Sequence, residues 1–238
     1  MTGRRIALVT GATGTIGSAI TRRLIEAGYC VYAVGRDQCK GVELRSSFPT
    51  AVVQFHHVDV KDEAQVRNFF ERNHDVLKNL ELLVTCAGIL DMSTFEKGEM
   101  SRWRDVIDTN LFGTFHCVYH TLPLMKARKK GVIIAIGSRW GESGAPKAAA
   151  YAASKSALKG FIKSLQFECV GSGVRPILLS PGSVAGEMSA RVNAQSKEQL
   201  LDAATLAGMV SFIASSPENA IFDEWTVKAF DYDLSHLY

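Results

Sequence analysis

The stretch Ile6-Ala-Leu-Val-Thr10, running straight into Gly11-Ala-Thr-Gly-Thr-Ile-Gly17, decides how this chain folds. A short continuous apolar run does not alternate between a wet and a dry face, so it reads as a strand buried on both sides of a parallel sheet. The glycines then turn the chain. Residues 18–27 follow as a helix with Ile20, Leu24 and Ile25 on its inner stripe, ended by Gly28. Residues 30–34 form the second apolar strand. A glycine-rich turn between buried strand and helix presents backbone N–H groups at the positive end of a helix dipole, which suits a pyrophosphate. The other reading is a tight turn that binds nothing; the complete strand, turn, helix and strand context favours the nucleotide.

The alternation continues outward from this unit. Residues 37–48 read as a short helix, 52–58 as a strand, and 63–77 as a helix with Val66, Phe69, Phe70 and Leu77 inward. Residues 80–85 form a fourth strand ending at Cys86-Ala-Gly88, and a long helix spans about 103–127. Residues 132–136 are a fifth strand leading to Ser138, a helix carrying Tyr151 runs to about Glu168, and 175–180 are a sixth strand. Residues 225–230 can supply a seventh, with 231–238 as a tail. Strands alternating with helices, without linkers or repeats, predict a doubly wound, three-layer αβα fold around a parallel sheet of about seven strands, in one domain over residues 1–238.

Composition narrows the function classes. Of 238 residues 47% are hydrophobic and 21% charged, ordinary for a globular chain long enough to bury a full core. A formal charge of +3 with scattered Lys and Arg argues against a nucleic-acid surface. The one basic cluster, Lys126, Arg128, Lys129 and Lys130, falls at a helix end, where cations complement the dipole. The five cysteines show neither close pairs nor metal-ligand spacing, so no metal site is expected. A signal-peptide pattern and a membrane-length apolar run are both lacking, which points to a cytoplasmic protein.

Ligands in such sheets sit beyond the carboxyl ends of the strands. The chain brings Gly11–Gly17, Arg36, Asp59, Cys86-Ala-Gly88, Ser138 and Pro181-Gly-Ser-Val184 to those ends. Tyr151 and Lys155 stand one helical turn apart on the next helix, so a phenol and an ammonium share one face. A cation beside a phenol lowers its pKa toward working pH and fits it for proton transfer. Ser138 alone could equally cap a turn, and Asn110 alone reads more readily as a hydrogen-bond partner to helix backbone.

With these residues assembled, the chain resembles the short-chain dehydrogenase/reductases over essentially its whole length. The carriers are Thr10-Gly-Ala-Thr-Gly-Thr-Ile-Gly17, Asp59, Ala87-Gly88, Asn110, Ser138, Tyr151 with Lys155, and Pro181-Gly182. The resemblance implies a Rossmann-type catalytic domain that interconverts a carbonyl and an alcohol by hydride transfer. Tyr151 would act as general acid/base, Lys155 would tune it and hold the nicotinamide ribose, Ser138 would orient the substrate, and Asn110 would hold a relay water. Cofactor contacts would come from Gly11, Thr13, Thr15, Ile16, Gly17, Arg36, Asp59, Val60, Ala87, Gly88, Pro181, Gly182 and Val184. Three departures stand out: glycine spacing typical of longer relatives with Thr15 in place of a glycine, Cys86 in place of asparagine, and an end lacking the usual Asp-Gly-Gly.

Gly35-Arg-Asp37 follows the second strand. An acid there would select NAD(H) through the ribose 2′-OH, whereas Arg36 suits a 2′-phosphate, so NADP(H) is favoured over NAD(H). Trp140 and Met188, with Ser138 and Tyr151, are the expected substrate contacts, and residues 185–191 would cover the site as a lid. The expected partners are a small carbonyl or alcohol and a second copy of the chain, as homodimer or homotetramer. A catalytically silent nucleotide-binding regulator of the same fold is the reading from another class, and an isomerase or dehydratase the third.

Overall fold

The computed structural model describes residues 4–192 and 200–229. In chain order the elements are β1 (Arg5–Thr10), α1 (Thr15–Glu26), β2 (Tyr29–Gly35), α2 (Gln38–Ser46), β3 (Val53–His57), α3 (Glu63–Arg72), α4 (His74–Leu77), β4 (Leu80–Thr85) and α5 (Met100–Ile107). They continue with α6 (Gly113–Arg128), β5 (Gly131–Ile136), α7 (Trp140–Ser143), α8 (Ala149–Glu168), β6 (Val174–Pro181), α9 (Glu187–Ala190), α10 (Ala203–Ser215) and β7 (Glu224–Val227). The strands form one parallel sheet in the order β3-β2-β1-β4-β5-β6-β7. The direction of winding reverses between β1 and β4, which opens a crevice beyond Thr10 and Thr85.

Burial explains why these apolar runs became strands. Leu8 faces one core while Ala7 and Val9 face the other, and Leu83 is likewise set against Leu82 and Val84. Val66 and Phe70 of α3, Cys117 and Met125 of α6, and Leu158 and Ile162 of α8 cover the first face. Ile20 and Leu24 of α1, Leu44 of α2, and Leu206 and Val210 of α10 cover the second. Each fully buried Leu or Ile contributes roughly 1.5–3 kcal/mol of transfer free energy, so the two-sided pattern is the principal source of stability. Among the described residues, no helix is long and apolar enough to cross a membrane.

Four boundaries differ from the sequence expectation. α1 starts at Thr15 rather than at residue 18, because Gly14 adopts the extended N-cap conformation and brings Gly17 into the first turn. The helix expected over 63–77 breaks at Asn73, whose side-chain amide donates to the Phe69 carbonyl at 2.8 Å. The helix expected over 103–127 begins at Met100 and contains a π turn, Asp108–Phe112, between α5 and α6. β7 ends at Val227, so the strand expected over 225–230 is shorter; Phe230 and the expected tail 231–238 lie outside the described residues.

Candidate active site

The glycine turn is held where only glycine fits. Gly11 has φ +62°, and a Cβ on it would stand 2.7 Å from the Ala87 Cα, so β1 can meet the end of β4 closely. Thr10 Oγ1 reinforces that approach by accepting from the backbone N–H groups of Cys86 at 3.1 Å and Ala87 at 3.2 Å. Gly14 caps α1 without a side-chain hydrogen bond. The opening N–H groups of the helix therefore remain for a ligand at its positive end.

Beyond the turn lies a cavity of about 410 Å³. Of the residues expected at the cofactor, Gly11, Thr13, Thr15, Ile16, Gly17, Arg36, Val60, Ala87, Gly88, Pro181, Gly182 and Val184 all line it. Ser138, Trp140, Tyr151, Lys155 and Met188 line the same space. Asp59 and Asn110 do not. The Asp59 carboxylate lies 3.7 Å from Arg36 Nη1 and accepts from the Lys61 N–H at 3.2 Å. Asn110 is fully buried in the π turn. Its Oδ1 accepts from the Ile89 N–H at 2.8 Å, and its Nδ2 donates to the Ile89 carbonyl at 3.1 Å and to Ser154 Oγ at 3.0 Å. Ser154 in turn donates to the Tyr151 carbonyl at 2.7 Å, so Asn110 ties the β4 loop to the helix that carries the phenol.

The residues expected to carry proton transfer are dry. Tyr151 is buried edge-on against Trp140, with ring centroids 6.0 Å apart. Ser138 Oγ accepts from the Trp140 N–H at 3.2 Å and hydrogen-bonds the phenol. Burial pushes the Tyr151 phenol above the ordinary tyrosine range, and the Ser138 hydrogen bond pulls it part of the way back. The lowering expected from the Tyr151–Lys155 spacing is not found: the downward pull comes from Ser138 and not from Lys155. Lys155 Nζ stands 5.7 Å from the Tyr151 ring centroid and donates to the Ile136 carbonyl at 2.7 Å. Burial lowers Lys155 to about 8, and pushes the Cys86 thiol beside it up to about 12. Cys86 is thus neutral at working pH, and its place at the end of β4 makes it part of the cavity wall.

Lys155 makes a pH-dependent stability prediction. A lysine with a folded pKa near 8 and an unfolded value near ~10.4 penalises the native state fully below about 8. The unfolded state holds more protons between those values, so stability rises with pH across that window. Urea midpoints are expected to show the native chain gaining roughly 1 kcal/mol between pH 8 and 9 relative to Lys155→Met. Parallel pH profiles of the two proteins would contradict it.

Several site residues were missed by sequence reasoning. The Thr109 hydroxyl is buried, without a hydrogen-bond partner, and lines the cavity. Lys40 lines its mouth and pairs at 2.5 Å with Glu187, a residue of the expected covering segment. The spacing of Arg36 and Lys40 was the available signal for the first; nothing in the sequence joins the second to it. Residues 185–191 do reach the cavity, where Gly186 packs on Thr15 and α9 follows.

The arrangement has relatives. A model of the family described as short chain dehydrogenase matches residues 5–197. The chain is 30% identical over 227 residues to an uncharacterized oxidoreductase of Staphylococcus saprophyticus, covering 94% of this chain and 97% of that one. It is 32% identical over 207 residues to a 3-oxoacyl-(acyl-carrier-protein) reductase of Staphylococcus aureus, covering 84% and 83%. Among solved structures, the closed form of a serine dehydrogenase complexed with NADP+ superposes with a TM-score of 0.91 at 28% identity, covering 97% of each chain.

Proposed function

We propose a function from one premise: this chain belongs to the short chain dehydrogenase family. Membership makes it an oxidoreductase of the carbonyl and alcohol class. Our finer reading is an NADP(H)-dependent reductase in which Tyr151 is the general acid/base. The observation that carries it is the meeting of Ser138, Tyr151 and Lys155 with the glycine turn in one cavity.

A nicotinamide dinucleotide fits the residues present. The turn at Gly11 and Gly17 leaves backbone where a Cβ would clash, and the Thr109 hydroxyl needs a partner from within the cavity. Gly11, Thr13, Thr15, Ile16 and Gly17 would hold its pyrophosphate side, Val60, Ala87 and Gly88 its adenosine side, and Pro181, Gly182 and Val184 its nicotinamide side. When bound, it supplies the hydride that the carbonyl carbon receives, or takes it back in the reverse direction.

The remaining chemistry belongs to the side chains. As the carbonyl carbon gains its hydride, the carbonyl oxygen gains negative charge and takes the Tyr151 proton. A phenol held above its usual pKa by burial keeps that proton until such charge develops. Ser138, fixed by the Trp140 N–H, directs a hydroxyl at the same oxygen and orients it. Lys155 places a cation behind the phenol, where it favours the phenolate left after transfer. Asn110 acts as a positioning residue, through Ile89 on one side and Ser154 on the other. Trp140 and Met188, with Ile89 and Leu90, offer the substrate apolar contact.

Cofactor choice rests on Arg36. Gly35 leaves no carboxylate at the end of β2, and Arg36 lines the cavity mouth. The relative that superposes at TM-score 0.91 carries NADP+, which supports the same choice here. With a panel of ketones and aldehydes, kcat/KM with NADPH is expected to exceed that with NADH by about tenfold or more, and Arg36→Ala to reduce that ratio. Equal or greater efficiency with NADH would overturn the NADP(H) assignment. A chain that binds the dinucleotide but turns over no carbonyl would favour the silent regulator.

A further inference from the structure

Three cations, Arg36, Lys40 and Arg191, share the outer end of the cavity with the carboxylates of Asp37, Glu43, Asp59 and Glu187. Arg36 faces Asp59 at 3.7 Å. Lys40, on the first turn of α2, donates to Glu187 at 2.5 Å, with Asp37 and Glu43 also within its field. Lys40 and Glu187 stand 147 positions apart in sequence, and both line the cavity. Glu187 opens α9, whose preceding Gly186 lies so close to Thr15 that a Cβ would stand 2.9 Å from the Thr15 Cβ. The pair therefore spans the mouth, from the helix after β2 to the segment that covers the glycine turn.

Charge counting shows what this arrangement asks of a ligand. With Arg36 and Lys40 each already paired, and Arg191 on the lining within the field of Glu187, a dinucleotide ending in a plain ribose can enter without disturbing either pair. A 2′-phosphate brings up to two more negative charges and competes with the carboxylates for these cations. Asp59 follows β3 directly and accepts from the Lys61 backbone, so it is fixed in place. Glu187 is largely exposed and paired with Lys40 from a separate segment. Its carboxylate is the one that can turn to water.

We propose that the Lys40–Glu187 pair straps the cofactor mouth and that Lys40 is a second selectivity residue, holding the 2′-phosphate in exchange for Glu187. This rests on the NADP(H) reading above. The phosphate and the Glu187 carboxylate are rivals for one ammonium, so release of the covering segment is coupled to the presence of the phosphate. The strap opens for one dinucleotide and stays fastened for the other.

Fluorescence titrations of NADPH and NADH into the whole chain test this without turnover. Lys40→Ala is expected to weaken NADPH about tenfold and to leave NADH within about twofold. Glu187→Gln removes the rival, and is expected to tighten NADPH several-fold with NADH nearly unchanged. The double variant should bind NADPH as weakly as Lys40→Ala alone. Both side chains are solvent-exposed, and unchanged melting curves establish that the variants fold. If the unaltered chain prefers NADPH and Lys40→Ala loses nothing, the inference fails while the Arg36 reading survives. Equal tightening of both dinucleotides by Glu187→Gln refutes the exchange. No NADPH preference in the unaltered chain removes the Arg36 reading, and this inference with it.

Discussion

Tyr151→Phe is expected to lower kcat by roughly 10²–10⁴-fold while leaving the Kd for NADPH within about twofold. The substitution deletes one oxygen from a ring that is otherwise held by packing. That ring is buried against Trp140, Val106 and Ala148, and phenylalanine keeps those contacts. Lys155 stays in place because its hydrogen bond goes to the Ile136 carbonyl and not to the phenol. Ser138 keeps its bond from the Trp140 N–H. The variant therefore isolates the proton: the substrate oxygen gains charge with no acid beside it, and the barrier rises by about 3–5 kcal/mol. Steady-state rates, together with cofactor titration, read both halves of the expectation. Turnover within a few-fold of the unaltered chain would remove Tyr151 from the mechanism, whatever happened to binding.

Gly17→Ala is expected to weaken dinucleotide binding by about 100-fold or more and to lower Tm by roughly 2–10 °C. Gly17 sits in the first turn of α1, and a Cβ there would enter the Gly11 peptide, 2.8 Å from its carbonyl carbon. The obstacle is backbone and cannot rotate away. Either the turn widens or the first turn of α1 unwinds, and both move the N–H groups that a pyrophosphate would meet. Alanine is otherwise the better helix former, so propensity alone predicts a more stable protein. The sign of the Tm change thus separates the two effects. A variant that melts higher and binds normally would show that the turn tolerates a side chain and that the cavity's phosphate end lies elsewhere.

The fold was legible because its strands are dry on both faces. Runs such as Leu80–Thr85 and Gly131–Ile136 leave a sequence reader little choice, and the glycine turn fixes where winding begins. Boundaries governed by one side chain bonding back to the helix, as at Asn73, carry no periodic signal. In the site, residues whose chemistry depends on type and spacing were found: Ser138, Tyr151, Lys155 and Arg36 all reach the cavity. Roles that depend on orientation were less legible. Spacing placed a cation near Tyr151 but could not show Lys155 turned to the Ile136 carbonyl, nor that burial would raise the phenol. Asp59 stands at the predicted strand end with its carboxylate turned to Arg36 and Lys61. Pairs closed by topology alone, Lys40 with Glu187 above all, have no trace in local sequence.

The π turn at Asp108–Phe112 sets two requirements against each other. Its Gly113 N–H reaches back to the Asp108 carbonyl, a loop one residue wider than α geometry uses, with poorer hydrogen bonding. Val106 before the turn and Cys117 and Val118 after it are all buried, so the core is kept on both sides of the widening. Within the widened turn sits Asn110, whose amide reaches across to Ile89 and Ser154. A helix optimised for its own stability would give up that direction. The chain keeps a locally worse helix so that a loop and a neighbouring helix hold a fixed distance, and regularity yields to registration between parts that are far apart in sequence.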